Sequence, residues 1–185
     1  LIEDACESIG AKIHDKFSGT TSDIGVFSFD YGKMITTGEG GCLLTNISEI
    51  DKSAREYHDH GHMNLKGIPR GEDKAQSAGF NYRMTEIQAA VGHAQLEKLS
   101  QMLKDNKARV DALINYENIT PYLREKRNYL KSNCDTLMLV GLSKKEVDDI
   151  LKILSTAGIG TENIPDAMRW HCSYSVSYTH LRAHE

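Results

Sequence analysis

The sequence predicts an α/β fold, on three observations. Short apolar stretches at residues 1–3, 24–29 and 41–45 alternate with glycine-rich turns, as β-strands set between tight loops do. From Thr85 onward the apolar residues switch to helical spacing, through Ile87, Val91, Ala94, Leu96, Leu99 and Leu103. A strand and helix then recur: residues 136–142 form an apolar run, and Val147, Ile150, Leu151 and Leu154 follow at i, i+3, i+4 and i+7.

Composition narrows the class. The 185 residues, 39% of them hydrophobic, suffice for a core and set a prior of one to two domains. A net charge of −4, mixed in sign along the chain, argues against a nucleic-acid partner or an anionic membrane surface. No apolar run is long enough to cross a bilayer and no signal peptide is visible. The chain starts within an apolar strand and without methionine, which leaves an upstream targeting segment open. Cys6, Cys42, Cys134 and Cys172 lie far apart with no Cys-x-x-Cys pair, which speaks against zinc and redox motifs. Reduced thiols and a cytoplasmic location are the default.

The elements follow in order. Between the first two strands, residues 5–11 read as a short helix or turn. Residues 46–48 offer caps for a helix over 49–57. His58, His60 and His62 then open a long polar loop reaching Ser77. Alternating histidines suggest metal only weakly here, since no carboxylate or cysteine cluster completes a ligand set. A loop that touches an anionic or hydroxylated substrate, or a plain solvated one, are the other readings. Thr85 with Gln88 forms a capping box that starts a helix to about Leu113, with Asp105 and Asn106 a candidate break. Its apolar stripe is read as core or subunit packing. Pro121 marks a boundary, Ser143 with Glu146 makes a second capping box, and Gly158 stops the last helix.

Lys33 is the residue on which the first third converges. It lies between an aromatic strand and a turn carrying Gly38, Gly40 and Gly41. Taken alone it reads as a solvated lysine on a hairpin-like turn. Held in a pocket, its pKa would fall by desolvation, exposing an amine that can form a Schiff base with a carbonyl. The glycines do not have the Gly-x-Gly-x-x-Gly spacing of a dinucleotide site.

Three ordered motifs surround this lysine: Glu-Asp-Ala-Cys-Glu (3–7), Ser-Phe-x-x-x-Lys-x-x-Thr-Thr-Gly-Glu-Gly-Gly (28–41) and Gly-x-Asn-Tyr-Arg-Met-x-Glu-x-Gln-Ala-Ala (79–90). Together they resemble the DegT family of nucleotide-sugar aminotransferases, fold-type I enzymes dependent on pyridoxal 5'-phosphate (PLP), over residues 1 to about 171. The resemblance implies a three-layer α/β/α large domain, incomplete, over 1–115, and part of a small C-terminal α/β domain over 116–174. Residues 175–185 are read as a non-native tail, similar to a translated sequencing adapter.

The same resemblance implies roles. Lys33 would be the Schiff-base lysine and proton shuttle, and Asp4 would hold the proton on the cofactor's pyridine nitrogen. Ser28 would bind the cofactor phosphate, and Asn81 would reach a phosphate from the neighbouring subunit of a homodimer with shared active sites. Arg83, His58 and His60 would face the substrate, although an arginine satisfying a loop or helix carbonyl is the plainer alternative for Arg83. Glu7 departs from the glutamine or histidine that many members carry near the cofactor ring hydroxyl, so a carboxylate there would have to be protonated or solvated.

The implied reaction moves an amino group, by resemblance from glutamate, to a keto sugar or nucleotide-linked keto sugar of cell-surface polysaccharide or lipopolysaccharide. Residues 29–33, 58–62 and 164–171 are reminiscent of members acting on a keto-deoxy-octulosonate. Relatives with histidine in place of the lysine dehydrate their sugar, so Lys33 argues for amino transfer. The family's N-terminal half is not in this sequence, and the expectation is a fragment with little activity alone. A metal-binding or hydrolytic protein using the histidine loop and an inert relative are the competing readings.

Overall fold

The computed structural model describes residues 1–74, 77–115, 120–123 and 129–158. Among the described residues there are two small sheets and three α-helices, and the first sheet sets the site.

Strand β1 (Ile2–Asp4) and β4 (Ile24–Ser28) pair in parallel, with Ile2 opposite Ile24 and Asp4 opposite Val26. Both strands therefore end on the same edge, and Asp4 and Ser28 emerge there together. Chain direction then reverses: β5 (Gly41–Leu44) returns antiparallel to β4, with Ser28 opposite Gly41. Residues 30–39 form the excursion between them. Phe29 N–H donates to Gly40 O at 2.8 Å and Thr37 N–H to Phe29 O at 3.0 Å, which closes the excursion at its base. Ala5 and Ile35, just past β1 and within the excursion, are fully enclosed.

The turn expected over residues 5–11 is a series of turns with no helix. It leads into a hairpin that the sequence pattern did not predict, β2 (Lys12–Ile13) with β3 (Lys16–Phe17). His14 and Asp15 take positive φ at its tip, where the usual asparagine-glycine signal is missing. A third strand, β6 (Leu130–Lys131), adds to β2 from more than a hundred residues away. The strand expected over 136–142 is not formed as a ladder: Leu139 alone makes a bridge. A strand needs a neighbour to satisfy its backbone, and among the described residues none runs beside that segment.

Helix α1 (Ser48–His58) begins without a side-chain cap. Its cap position is Ile47, so the expected capping by residues 46–48 fails, and Thr45 Oγ1 instead accepts from Ile47 N–H at 3.1 Å. Helix α2 (Glu86–Ile114) opens with the predicted Thr85–Gln88 capping box and runs unbroken through Asp105 and Asn106. Gly92 and Val110 lie buried on it, while Ile87, Val91 and Leu96 are exposed. The chain divides into two compact units, Leu1–Met138 and Leu139–Glu185. Helix α3 (Lys144–Thr156) belongs to the second and carries the predicted Ser143–Glu146 capping box. Residues 163–171, Cys172 and the 175–185 tail lie outside the described residues.

Candidate functional site

A shallow hollow, open to solvent, lies where β1 and β4 end, lined by Glu7, Ser28, Lys33, Ile35, Asn133 and Asp135 among others. In open α/β sheets the carboxyl ends of parallel strands are the usual place for ligands, because the loops there diverge. Lys33 enters from the 30–39 excursion, where its N–H donates to Asp30 O at 3.0 Å. Its side chain is 21% exposed and its Nζ pairs with the Glu7 carboxylate, which is 71% exposed. The hydrogen bond that Lys33 Nζ donates to Glu7 raises the Lys33 pKa above the ordinary lysine value, and partial burial opposes this only in part. This corrects the expectation of a lysine made more acidic by desolvation. A carboxylate in contact stabilises the ammonium more than this degree of burial destabilises it.

Asp4 stands at the end of β1, exposed, and its Oδ1 accepts the Cys6 N–H at 3.1 Å. Bonds from Cys6 hold its carboxyl below the usual range, with a smaller contribution from the positive charge of Lys33. The adjacent Cys6 thiol is pushed up to about 11, chiefly by burial. Ser28 Oγ accepts the Asp30 N–H at 3.3 Å, which leaves its hydroxyl proton free to donate elsewhere. Glu7, whose side chain is largely exposed, pairs with Lys33 Nζ.

Asn133 and Asp135 were not legible in the sequence. Pairing of β6 with β2 carries them to the hollow, and Asn133, itself buried, donates from Nδ2 to Glu7 O at 3.1 Å. No local pattern announces a contact across 126 residues.

Asp4 ends β1 at this edge without lining the hollow. Asn81, Arg83, His58 and His60 do not line it either. They gather instead around Asp59, a buried acid the sequence reading passed over. Asp59 and Asn81 bridge in antiparallel fashion, while His60 N–H donates to Phe80 O at 2.9 Å and Tyr82 N–H to His58 O at 2.9 Å. Asp59 accepts from Arg70 Nη1 at 3.0 Å, Arg70 Nη2 at 2.5 Å, Asn64 Nδ2 at 3.0 Å, and Arg83 Nη1. Arg70 above all, then Asn64 and Arg83, hold its carboxyl far below the usual range. Arg83 is thus anchored by a carboxylate. The His58 ring donates from Nδ1 to Arg55 O at 2.6 Å. Among the described residues no three histidine, cysteine or acidic side chains converge as ligands for a metal ion. No helix among them is long and apolar enough to cross a membrane.

The chain is similar to known proteins in sequence and in fold. Residues 1–181 match the DegT/DnrJ/EryC1/StrS aminotransferase family, and the chain belongs to it. The GDP-perosamine synthase of Caulobacter vibrioides is 44% identical over 103 residues, covering 56% of this chain and 26% of that protein. The UDP-4-amino-4,6-dideoxy-N-acetyl-beta-L-altrosamine transaminase of Helicobacter pylori is 34% identical over 134 residues, covering 71% of this chain and 34% of that protein. Among solved structures, the E. coli GDP-4-keto-6-deoxy-D-mannose-3-dehydratase with bound hydrated PLP matches with a TM-score of 0.71 and 28% identity. That match covers 86% of this chain and 45% of the dehydratase. The chain spans about a quarter to a third of the curated relatives it matches, and its fold is the corresponding part of PLP fold-type I.

Proposed function

We propose that the protein is a PLP-dependent aminotransferase that moves an amino group from an amino-acid donor, glutamate, to a nucleotide-linked keto sugar destined for cell-surface polysaccharide or lipopolysaccharide, in the cytoplasm. One observation carries the reading: Lys33 projects into a hollow at the shared end of β1 and β4, with Asp4 and Ser28 ending those two strands beside it. The relatives named for GDP- and UDP-linked sugars support a nucleotide-linked substrate over a free octulosonate.

The donor set fits the cofactor. An amine for its aldehyde and a hydroxyl for its phosphate line the hollow, and a carboxylate for its ring nitrogen ends β1 at the same sheet edge. When bound, PLP supplies an electron sink for the α-carbon of the amino donor. Asp4, held ionised at neutral pH by its bonds from Cys6, keeps the proton on the ring nitrogen. Ser28 Oγ donates to phosphate. Lys33 Nζ would hold the cofactor through its aldehyde and, once freed, would accept and return the proton of the donor's α-carbon. Glu7 would lie on the side of the ring hydroxyl. A histidine at position 33 would favour dehydration, so the lysine selects amino transfer over the reaction named for the E. coli relative.

The Asp59 group serves a second part of the site. Asn81 lies apart from the Lys33 hollow, which supports its acting on a cofactor bound in the other subunit of a homodimer. Arg83, His58 and His60 are assigned there to the anionic and hydroxylated parts of the substrate, Arg83 through the guanidinium donors that Asp59 leaves free.

The test is chemical trapping. Mixing the protein with PLP, reducing with borohydride and mapping the digest by mass spectrometry is expected to put the pyridoxyl group on Lys33. The K33R chain should carry no label at that position. A label spread over surface lysines at equal yield would overturn the assignment.

A further inference from the structure

The Lys33–Glu7 pair has an asymmetry that bears on how the amine becomes available. Lys33 is four-fifths enclosed, whereas its partner carboxylate is mostly in water. The Glu7 backbone is fixed, since its carbonyl accepts from Asn133 Nδ2. The carboxylate can therefore swing out into solvent from a fixed point at little cost, while Lys33 stays where it is.

We propose that Glu7 is a gate on Lys33: while paired, the carboxylate keeps the amine as an ammonium ion, and only a chain in which this pair has opened takes up an aldehyde. This rests on the reading of Lys33 as the cofactor-binding amine. The reaction itself is balanced and simple. The ammonium gives its proton to a solvent base, the freed lone pair on Nζ adds to the aldehyde carbon, and one water leaves. An ammonium has no lone pair, so the fraction of open, neutral Lys33 sets the rate.

The other groups facing Lys33 do not replace Glu7. Asp4, at the end of β1, is engaged with the Cys6 N–H. Asp30, in the excursion after β4, accepts the Gly32 N–H at 3.4 Å through Oδ2 and acts on Lys33 through its charge without bonding to it. Cys6 stays a neutral thiol near pH 7, because burial pushes it up to about 11. Asp135, from the segment after β6, lines the hollow. The carboxylate bonded to Nζ is that of Glu7.

E7Q separates charge from shape, since the amide keeps the size and an acceptor oxygen. Two readouts are taken on the same proteins. The first is the titration of Lys33 in the cofactor-free chain, followed by NMR after reductive methylation with ¹³C-formaldehyde and assigned with K33R. The second is the rate of borohydride-trapped pyridoxyl labelling at Lys33 from pH 6.5 to 10.5. In E7Q the titration midpoint is expected to move down, and labelling at pH 7.5 to rise about three- to tenfold, a tenfold rise corresponding to about one pKa unit. The two proteins should converge at the alkaline end, where both amines are neutral. D30N and D135N should move the midpoint less than E7Q. An E7Q midpoint equal to wild type, or slower labelling in E7Q, overturns the gate. If neither protein is labelled at all, the aminotransferase reading fails, and the cofactor-free titration still decides the gate on its own.

Discussion

Two carboxylates, Asp59 and Glu3, illustrate how single side chains organise the loops around this site. Asp59, itself buried, ties the more exposed Arg70, Arg83 and Asn64 into one group. Glu3 accepts from the backbone N–H groups of Gly19 at 2.9 Å and Thr21 at 3.1 Å, and from the Thr21 hydroxyl at 2.9 Å. Both carboxyls sit below their ordinary range, Asp59 chiefly because of Arg70 and Glu3 chiefly because of the Gly19 N–H. A depressed folded-state pKa contributes stability above the unfolded value, and that contribution is lost as the pH falls through the folded value. Through these two groups, stability to urea is therefore expected to be independent of pH near neutrality and to weaken below about pH 4, the ordinary carboxylate range. D59A should leave two guanidiniums without their counter-charge. Amide exchange in residues 58–64 and 79–83 is expected to rise by about tenfold or more, while exchange in β1 and β4 stays unchanged, as local opening requires.

Caps and close approaches dominate at the level of elements. The Thr85–Gln88 box fixes where α2 starts, and Gln88 Nε2 also donates to Glu39 O at 2.8 Å. That bond ties the helix to the glycine turn that closes the Lys33 excursion. T85A is expected to cost about 1 kcal/mol in chemical denaturation. Gly25, in the middle of β4, has a stricter requirement: a Cβ there would stand 1.8 Å from the Gly19 carbonyl oxygen. Backbone has to move to admit it, so G25A is expected to destabilise by about 2 kcal/mol or more and to displace the strand that ends at Ser28. Loss of pyridoxyl labelling in G25A with the Lys33 side chain intact would show that the strand positions the site.

The molecule as a whole buries few large apolar side chains among its described residues: Ile35 and Val110 lie in the core, while many others face solvent. Tyr57, Phe80 and Tyr82 form one exposed aromatic group, with ring centroids 5.6 to 6.1 Å apart, beside the Asp59 cluster. Contiguous exposed aromatic surface is a signature of association. With Asn81 assigned to a partner's cofactor, sedimentation analysis is expected to find a dimer, and the double variant F80S/Y82S to shift it toward monomer. A monomer at all concentrations would remove the shared-site part of the proposed function.

The sequence by itself determined the local features: β1, β4 and β5 from their apolar runs, α2 and α3 from periodicity and capping boxes, and the family from three motifs within the first ninety residues. These are legible because capping, strand pattern and motif are properties of neighbours in the chain. Tertiary structure alone decided the rest. It brought Asn133 and Asp135 to Lys33 through β6, gave Lys33 a counter-ion 26 residues away in Glu7, and engaged Arg83 with Asp59. It also left residues 136–142 without a ladder, because no described strand runs alongside. The charge state of Lys33 depends on which carboxylate comes within a hydrogen bond of it, and that distance is set by folding, not by spacing along the chain.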